Sequence, residues 1–182
     1  MSAEAFYQQI ESVNSSARPV ESWNPPLSGD MDCLIRRDGS WQLDGRPLAN
    51  EKMLRLFSTV LKKEGDDYFL VTPVEKWRIE VEDLPFLVVE MDIDSPDSKN
   101  QLVRLRTNVG DRVSVDASHP LGSSPIAGID EKQVIPYVLV RDGLTARFNR
   151  NCFLQLAEIL EPLDQAGQYK IVSANSDFVL SL

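Results

Sequence analysis

Phe6, Ile10 and Val13 recur at i, i+4 and i+7, the spacing that gathers apolar side chains on one face of a short helix. Pro19, Pro25 and Pro26 forbid its continuation. From Asp32 to Leu48 the rhythm changes to strand, turn, strand: Leu34 and Ile35 run into Asp38-Gly39, and Trp41 and Leu43 run into Asp44-Gly45. Asn50 is a good N-cap for a helix whose apolar stripe is Met53, Leu54, Phe57, Val60 and Leu61. The pattern carries that helix to Lys62 and Lys63, cations suited to a C-terminus, with Gly65-Asp66-Asp67 as the stop. Strands are then predicted over 68–72, 77–81, 86–93, 101–107 and 112–115, with turn chemistry at 95–100 and 108–111.

Two stretches repeat one another. Ile35-Arg36-Arg37-Asp38-Gly39 matches Leu139-Val140-Arg141-Asp142-Gly143, an apolar strand entering Arg-Asp-Gly. Asn50 aligns with Asn149, and the stripe Met53, Leu54, Phe57, Val60, Leu61 aligns without a gap on Cys152, Phe153, Leu156, Ile159, Leu160. Each helix is followed by an apolar strand, at 68–72 and at 169–173. The pattern therefore predicts an α+β protein of two related hairpin-helix-strand units from an internal duplication, divided as 1–78, an N-terminal α+β unit, and 79–182, a C-terminal β-rich unit with one helix. Duplicated units commonly share a cleft, and clefts are where ligands sit.

The 182 residues, 42% of them hydrophobic, can bury a core without disulfides or a structural metal. Apolar runs such as Phe86 to Val89 are far shorter than the roughly 18 residues that span a bilayer, so no membrane association is expected. With 28 acidic and 19 basic residues the net charge is -9, which argues against general nucleic-acid binding. Cys33 and Cys152 form no C-x-x-C pair and read as buried small hydrophobes of a reducing compartment. The first residues have neither a basic leader nor an apolar core segment, so a cytoplasmic location is expected.

Twelve of the cations are Arg, the side chain that grips phosphate or carboxylate through two parallel hydrogen bonds. Arg104 and Arg106 alternate with Val103 and Leu105, so both face one side of a strand, with Asn108 and the Gly110-Asp111-Arg112 turn just beyond. They are an anion site or a solvated sheet face. Arg141, Arg147 and Arg150 surround the second hairpin and a helix N-terminus, where the macrodipole favours an anion; ion pairs with Glu158, Glu161 or Asp164 are the alternative. Thr72-Pro73-Val74-Glu75-Lys76 ends a strand in a bend, placing Lys76 to meet a phosphate and Glu75 a ligand hydroxyl, unless the two form a surface ion pair.

His119 is the lone histidine and builds no zinc site; as a general base it needs an orienting acid such as Asp111 or Asp116. Glu90, Asp92 and Asp94 alternate on one strand face and, with Asp97, lack the order of a calcium loop; they read as a solvated face. No phosphate-binding, dinucleotide or nucleophile-elbow signature occurs.

Trp23 with Pro25, the 35–41 segment, Leu70-Val71-Thr72-Pro73-Val74-Glu75-Lys76-Trp77 and Val81-Glu82-Asp83-Leu84-Pro85-Phe86 resemble the bacterial domain of unknown function 1285 family. So do Arg106-Thr107-Asn108, His119-Pro120-Leu121, Pro136-Tyr137-Val138 and the 140–147 segment, and the likeness covers about residues 20 to 160. The resemblance implies a duplicated core whose second unit is a β-rich roll or partly open barrel resembling a pleckstrin-homology fold. It also implies a nucleotide-like ligand at the interface of the two units and a role in bacterial signal transduction. Leu121-Gly122-Ser123-Ser124-Pro125 departs from the family pattern in lacking a basic residue after His-Pro-Leu.

The expected function is a non-enzymatic sensor of a small phosphorylated, nucleotide-derived ligand. Lys76, Arg106, Arg141, Arg147 and Arg150 are its expected anion contacts, and Thr72, Glu75, Asn108 and His119 its polar contacts. Two other readings stay open: a metal-dependent phosphoester or nucleotide hydrolase using Asp111 or Glu75 with His119, and an adaptor that binds a signalling protein at a sheet edge. No cofactor is assigned.

Overall fold

The computed structural model describes residues 3–12, 19–96, 98–126 and 133–182. It is mostly β with few helices and divides into two compact units, Met1–Glu82 and Asp83–Leu182. Val13 and Asp97, named above, lie outside the described residues.

In the first unit, helix α1 (Ala3–Ser12) buries Phe6 and Ile10, and the Phe6 ring meets Phe57 edge-on at 5.6 Å. The strands are β1 (Leu27–Ile35), β2 (Trp41–Leu43), β3 (Arg46–Pro47), β4 (Leu61–Glu64), β5 (Asp67–Val71) and β6 (Lys76–Val81), with α2 (Glu51–Thr59) between β3 and β4. They form one six-stranded sheet in the order β3-β2-β1-β6-β5-β4, antiparallel except where β1 meets β6. Because β6 is a central strand, the division falls after Glu82; a boundary after residue 78 would cut the strand in two.

Helix α2 is shorter than its apolar stripe. It ends at Thr59, and Lys62 and Lys63 belong to β4, which pairs with β5 in the register Leu61↔Leu70 and Lys63↔Tyr68. Ser58 and Thr59 donate their hydroxyls back to the carbonyls of Arg55 and Leu56 at 2.8 and 2.7 Å, local bonds that compete with continued helix. The chain beyond then gains a whole strand ladder, with Val60 and Leu61 still buried.

The second unit begins with β7 (Phe86–Asp94), β8 (Leu102–Thr107), β9 (Arg112–Ser114), β10 (Leu121–Pro125), β11 (Val134–Arg141) and β12 (Leu144–Phe148). These make a six-stranded sheet ordered β10-β11-β12-β7-β8-β9, in which β12 and β7 are parallel. After α3 (Arg150–Glu158), β13 (Glu161–Pro162), β14 (Gln168–Ser173) and β15 (Ser176–Ser181) form a separate antiparallel sheet. Strands β9 and β10 are the two edges of the larger sheet, so among the described residues hydrogen bonding does not close it into a ring. Fully buried Ser173 fastens the smaller sheet to it, donating to the Val115 carbonyl at 2.7 Å and accepting from the Val103 N–H at 3.0 Å.

The repeated segments correspond locally. Asn50 and Asn149 both cap their helices, accepting from Lys52 and Met53 N–H and from Cys152 N–H respectively. Both helices have nine residues and bury Met53 and Phe57, or Cys152 and Leu156. The Arg-Asp-Gly segments differ, however. Asp142 and Gly143 adopt φ 45° and 75°, the two left-handed residues of a tight hairpin turn, and Asp44-Gly45 matches them at 49° and 70°. At Asp38-Gly39 only the glycine is left-handed, because a longer turn there is closed by Arg36 N–H to the Ser40 carbonyl.

Both cysteines are free and buried, and burial pushes the Cys33 thiol up to about 12. No helix among the described residues is long and apolar enough to cross a membrane.

Candidate functional site

The charged face of β7, β8 and β9 is built by one irregularity. Phe86 and Val88 are buried, and strict alternation would carry residues 90, 92 and 94 inward after them. A bulge between Val88 and Glu90 shifts the pairing by one residue, so Met91 is buried and Glu90, Asp92 and Asp94 share the opposite face. On β8 the buried residues are Val103, Leu105 and Thr107, which leaves Arg104 and Arg106 beside those carboxylates in the register Asp92↔Arg104 and Glu90↔Arg106. Strand β9 continues both rows, with Arg104↔Ser114 and Arg106↔Arg112. Together they line a trough of about 380 Å³.

Within it, Arg106 binds Glu90 through a short ion pair, and Arg104 reaches diagonally to Asp94 at 2.6 Å. The hydrogen bond from Arg106 holds the Glu90 carboxyl below the usual carboxylate range, helped by the charges of Arg106 and then Arg112. Among the described residues neither Arg112 nor Asp92 has an ion-pair partner. Two arginines are therefore direct cross-strand partners on one face, beside a single carboxylate. Like charges in that relation repel, and an added anion relieves the repulsion.

The other candidates do not line the trough. Arg141 pairs closely with Asp111 and lies over the Phe86 ring at 4.9 Å, joining the end of β11 to the turn after β8. Asn108 accepts from the Leu87 N–H at 2.9 Å and donates its own N–H to the Leu87 carbonyl at 2.8 Å, so it fastens that turn to β7. Arg147 was a candidate contact for an external anion, but its guanidinium is spent inside the unit. It grips both carboxylate oxygens of Asp83 at 2.9 and 2.8 Å and donates to the carbonyls of Ser124, Pro125 and Ile135. Arg150 is exposed at the first turn of α3. His119 Nδ1 lies 3.2 Å from Asp116, in the loop between β9 and β10. Burial works to raise the Asp116 carboxyl, but bonds from the backbone N–H groups of Ser118 and His119 outweigh it and hold the group low.

Thr72, Glu75 and Lys76 belong to the first unit and are engaged there. Thr72 is buried, and its hydroxyl accepts from the Glu75 N–H at 3.1 Å and closes the bend. Glu75 accepts from the Trp77 indole at 3.3 Å. Lys76 does not pair with Glu75 but with Glu64 at 2.7 Å, over the Phe69 ring at 5.0 Å, and Glu64 also receives Lys62 at 3.1 Å.

Of the expected anion contacts, Arg106 lines the trough, and Arg112, Asp92 and Ser114 join it. Their signal was in the sequence as two alternating runs of opposite charge. What pattern alone could not supply was the register that sets them side by side. Among the described residues no group of three or more His, Cys, Asp and Glu is arranged to hold a metal ion.

Residues 18–84 match "Domain of unknown function (DUF1285), N-terminal domain", and residues 85–180 match "Protein of unknown function (DUF1285), C-terminal domain". A crystal structure of a DUF1285 family protein from Silicibacter pomeroyi DSS-3 is similar over 94% of this chain and 92% of its own, with 36% identity and a TM-score of 0.84. One of a DUF1285 family protein from Shewanella baltica OS155 is similar over 70% of this chain and 91% of its own, with 29% identity and a TM-score of 0.54. No curated protein matches. The chain belongs to the DUF1285 family.

Proposed function

We propose that this protein is a non-enzymatic cytoplasmic sensor in bacterial signal transduction, and that the trough on β7, β8 and β9 takes the phosphate of a small phosphorylated ligand, nucleotides included. The carrying observation is the direct pairing of Arg106 with Arg112 beside the single carboxylate of Glu90. A phosphate has oxygens enough to take a forked contact from Arg112 and a second from Arg106, and it restores charge balance in that row. The buried, free cysteines fit a reducing compartment. The matching caps and burial of α2 and α3 support reading the two units as a duplication, and the helix that follows the larger sheet is the feature that favours a pleckstrin-homology-like second unit.

Hydrolysis is less well supported. His119 has an orienting carboxylate in Asp116, but Asp111 is bound to Arg141 and Glu75 accepts from the Trp77 indole.

Calorimetric titration of the full chain with inorganic phosphate and with adenosine 5′-monophosphate tests the proposal. Saturable binding that weakens about tenfold or more, some 1.4 kcal/mol, in Arg112→Gln is the expected result. Arg112 is exposed, so this substitution is expected to leave folding stability within about 0.5 kcal/mol of the parent. Absence of saturable binding, or equal binding by the variant, overturns the proposal.

A further inference from the structure

The trough has a second charged end. Glu90 and Asp94 are engaged by Arg106 and Arg104, while Asp92 stands between them on the same face of β7 with no ion pair among the described residues. Arg104 is directly opposite Asp92 but gives its guanidinium to Asp94, so the Asp92 carboxylate keeps its charge for a cation carried by a ligand. Arg112 is its counterpart of opposite sign.

The pairing fixes their separation. Asp92 is opposite Arg104, and Arg112 is opposite Arg106 on the far side of β8. The two unpaired residues are thus two strand spacings apart across the sheet and two residues apart along it, roughly 12 Å between Cα atoms. A short side chain at one end and a long one at the other narrow that distance to the reach of a small molecule. Three carboxylates and three guanidinium groups line the trough, so a phosphate ester that carries its own ammonium brings one unit less negative charge into it than an ester that does not.

Resting on the anion-site reading above, we infer that the ligand is two-ended: a phosphate ester bearing a primary amine, its phosphate held by Arg106 and Arg112 and its ammonium by Asp92. Ser114, opposite Arg104 and two residues from Arg112 on β9, supplies a hydroxyl at the phosphate end. A sugar phosphate satisfies the arginines but sets uncharged hydroxyls against Asp92.

The test compares three probes on the full chain by calorimetry: methyl phosphate, O-phosphoethanolamine and ribose 5-phosphate. The expected order has O-phosphoethanolamine about tenfold tighter than the other two. Asp92→Asn is expected to remove that advantage, so that the variant binds O-phosphoethanolamine no tighter than it binds methyl phosphate. If O-phosphoethanolamine binds no tighter than methyl phosphate, or ribose 5-phosphate matches it, the two-ended inference is overturned. Loss of methyl phosphate binding in Arg112→Gln would then still uphold the anion site. If no probe binds the parent protein, both fall.

Discussion

The Asp83–Arg147 clasp should dominate the stability of the second unit. Both side chains are almost wholly buried, at 4% and 6% exposure, and the guanidinium makes two bonds to Asp83 and others to Ser124, Pro125 and Ile135. Asp83 is the first residue of the unit, and the bonds carry its hold across β12 to β10 and β11. Replacing Asp83 by Asn keeps the shape but removes the counter-charge, leaving a guanidinium out of water with only carbonyls and a hydroxyl around it. Breaking one side of such a pair costs about 3 to 5 kcal/mol. For a chain of this size each kcal/mol moves the midpoint by about 2 to 4 °C, so Asp83→Asn is expected to melt roughly 6 to 20 °C lower. All three tryptophans, Trp23, Trp41 and Trp77, are in the first unit, so indole fluorescence would report the wrong half. The loss should be read by far-ultraviolet circular dichroism, or by hydrogen exchange at β10 to β12. A drop below about 1 kcal/mol, the scale of an exposed ion pair, would refute the claim that burial makes this pair decisive.

Two further outcomes follow from the first unit. Glu64 is held below its ordinary value of 4.5, first by the hydrogen bond from Lys76, against a smaller contribution from burial. Its contribution is therefore full above the unfolded value and fades as pH falls through the lower folded one; the gap in urea midpoint between the parent and Glu64→Gln should shrink below about pH 4.5, and a gap constant from neutral to acid pH would contradict it. Asn50→Ala removes the acceptor for two helix N–H groups and should cost about 1 kcal/mol in the same denaturation assay; no loss would mean that the end of α2 is held by packing alone.

What the chain by itself determined is mostly local. The asparagine caps, the left-handed Asp44-Gly45 and Asp142-Gly143 turns, and strands β5 to β9 follow from contacts within a few residues, where backbone preference and alternation suffice. The likeness of the two helices was legible for the same reason. Tertiary structure decided whatever depended on a distant partner. Val60 and Leu61 fit a helical stripe as well as a strand, and only the ladder to β5 resolved them. Arg147 had the composition and position of a ligand contact, but Asp83, sixty-four residues away, took its charge. Likewise the bulge in β7 turned an acidic run outward beside Arg104 and Arg106, and Arg112 acquired its meaning from the strand it faces. The sign of a charge is written in the sequence, but whether that charge is free depends on which strands pair and in what register.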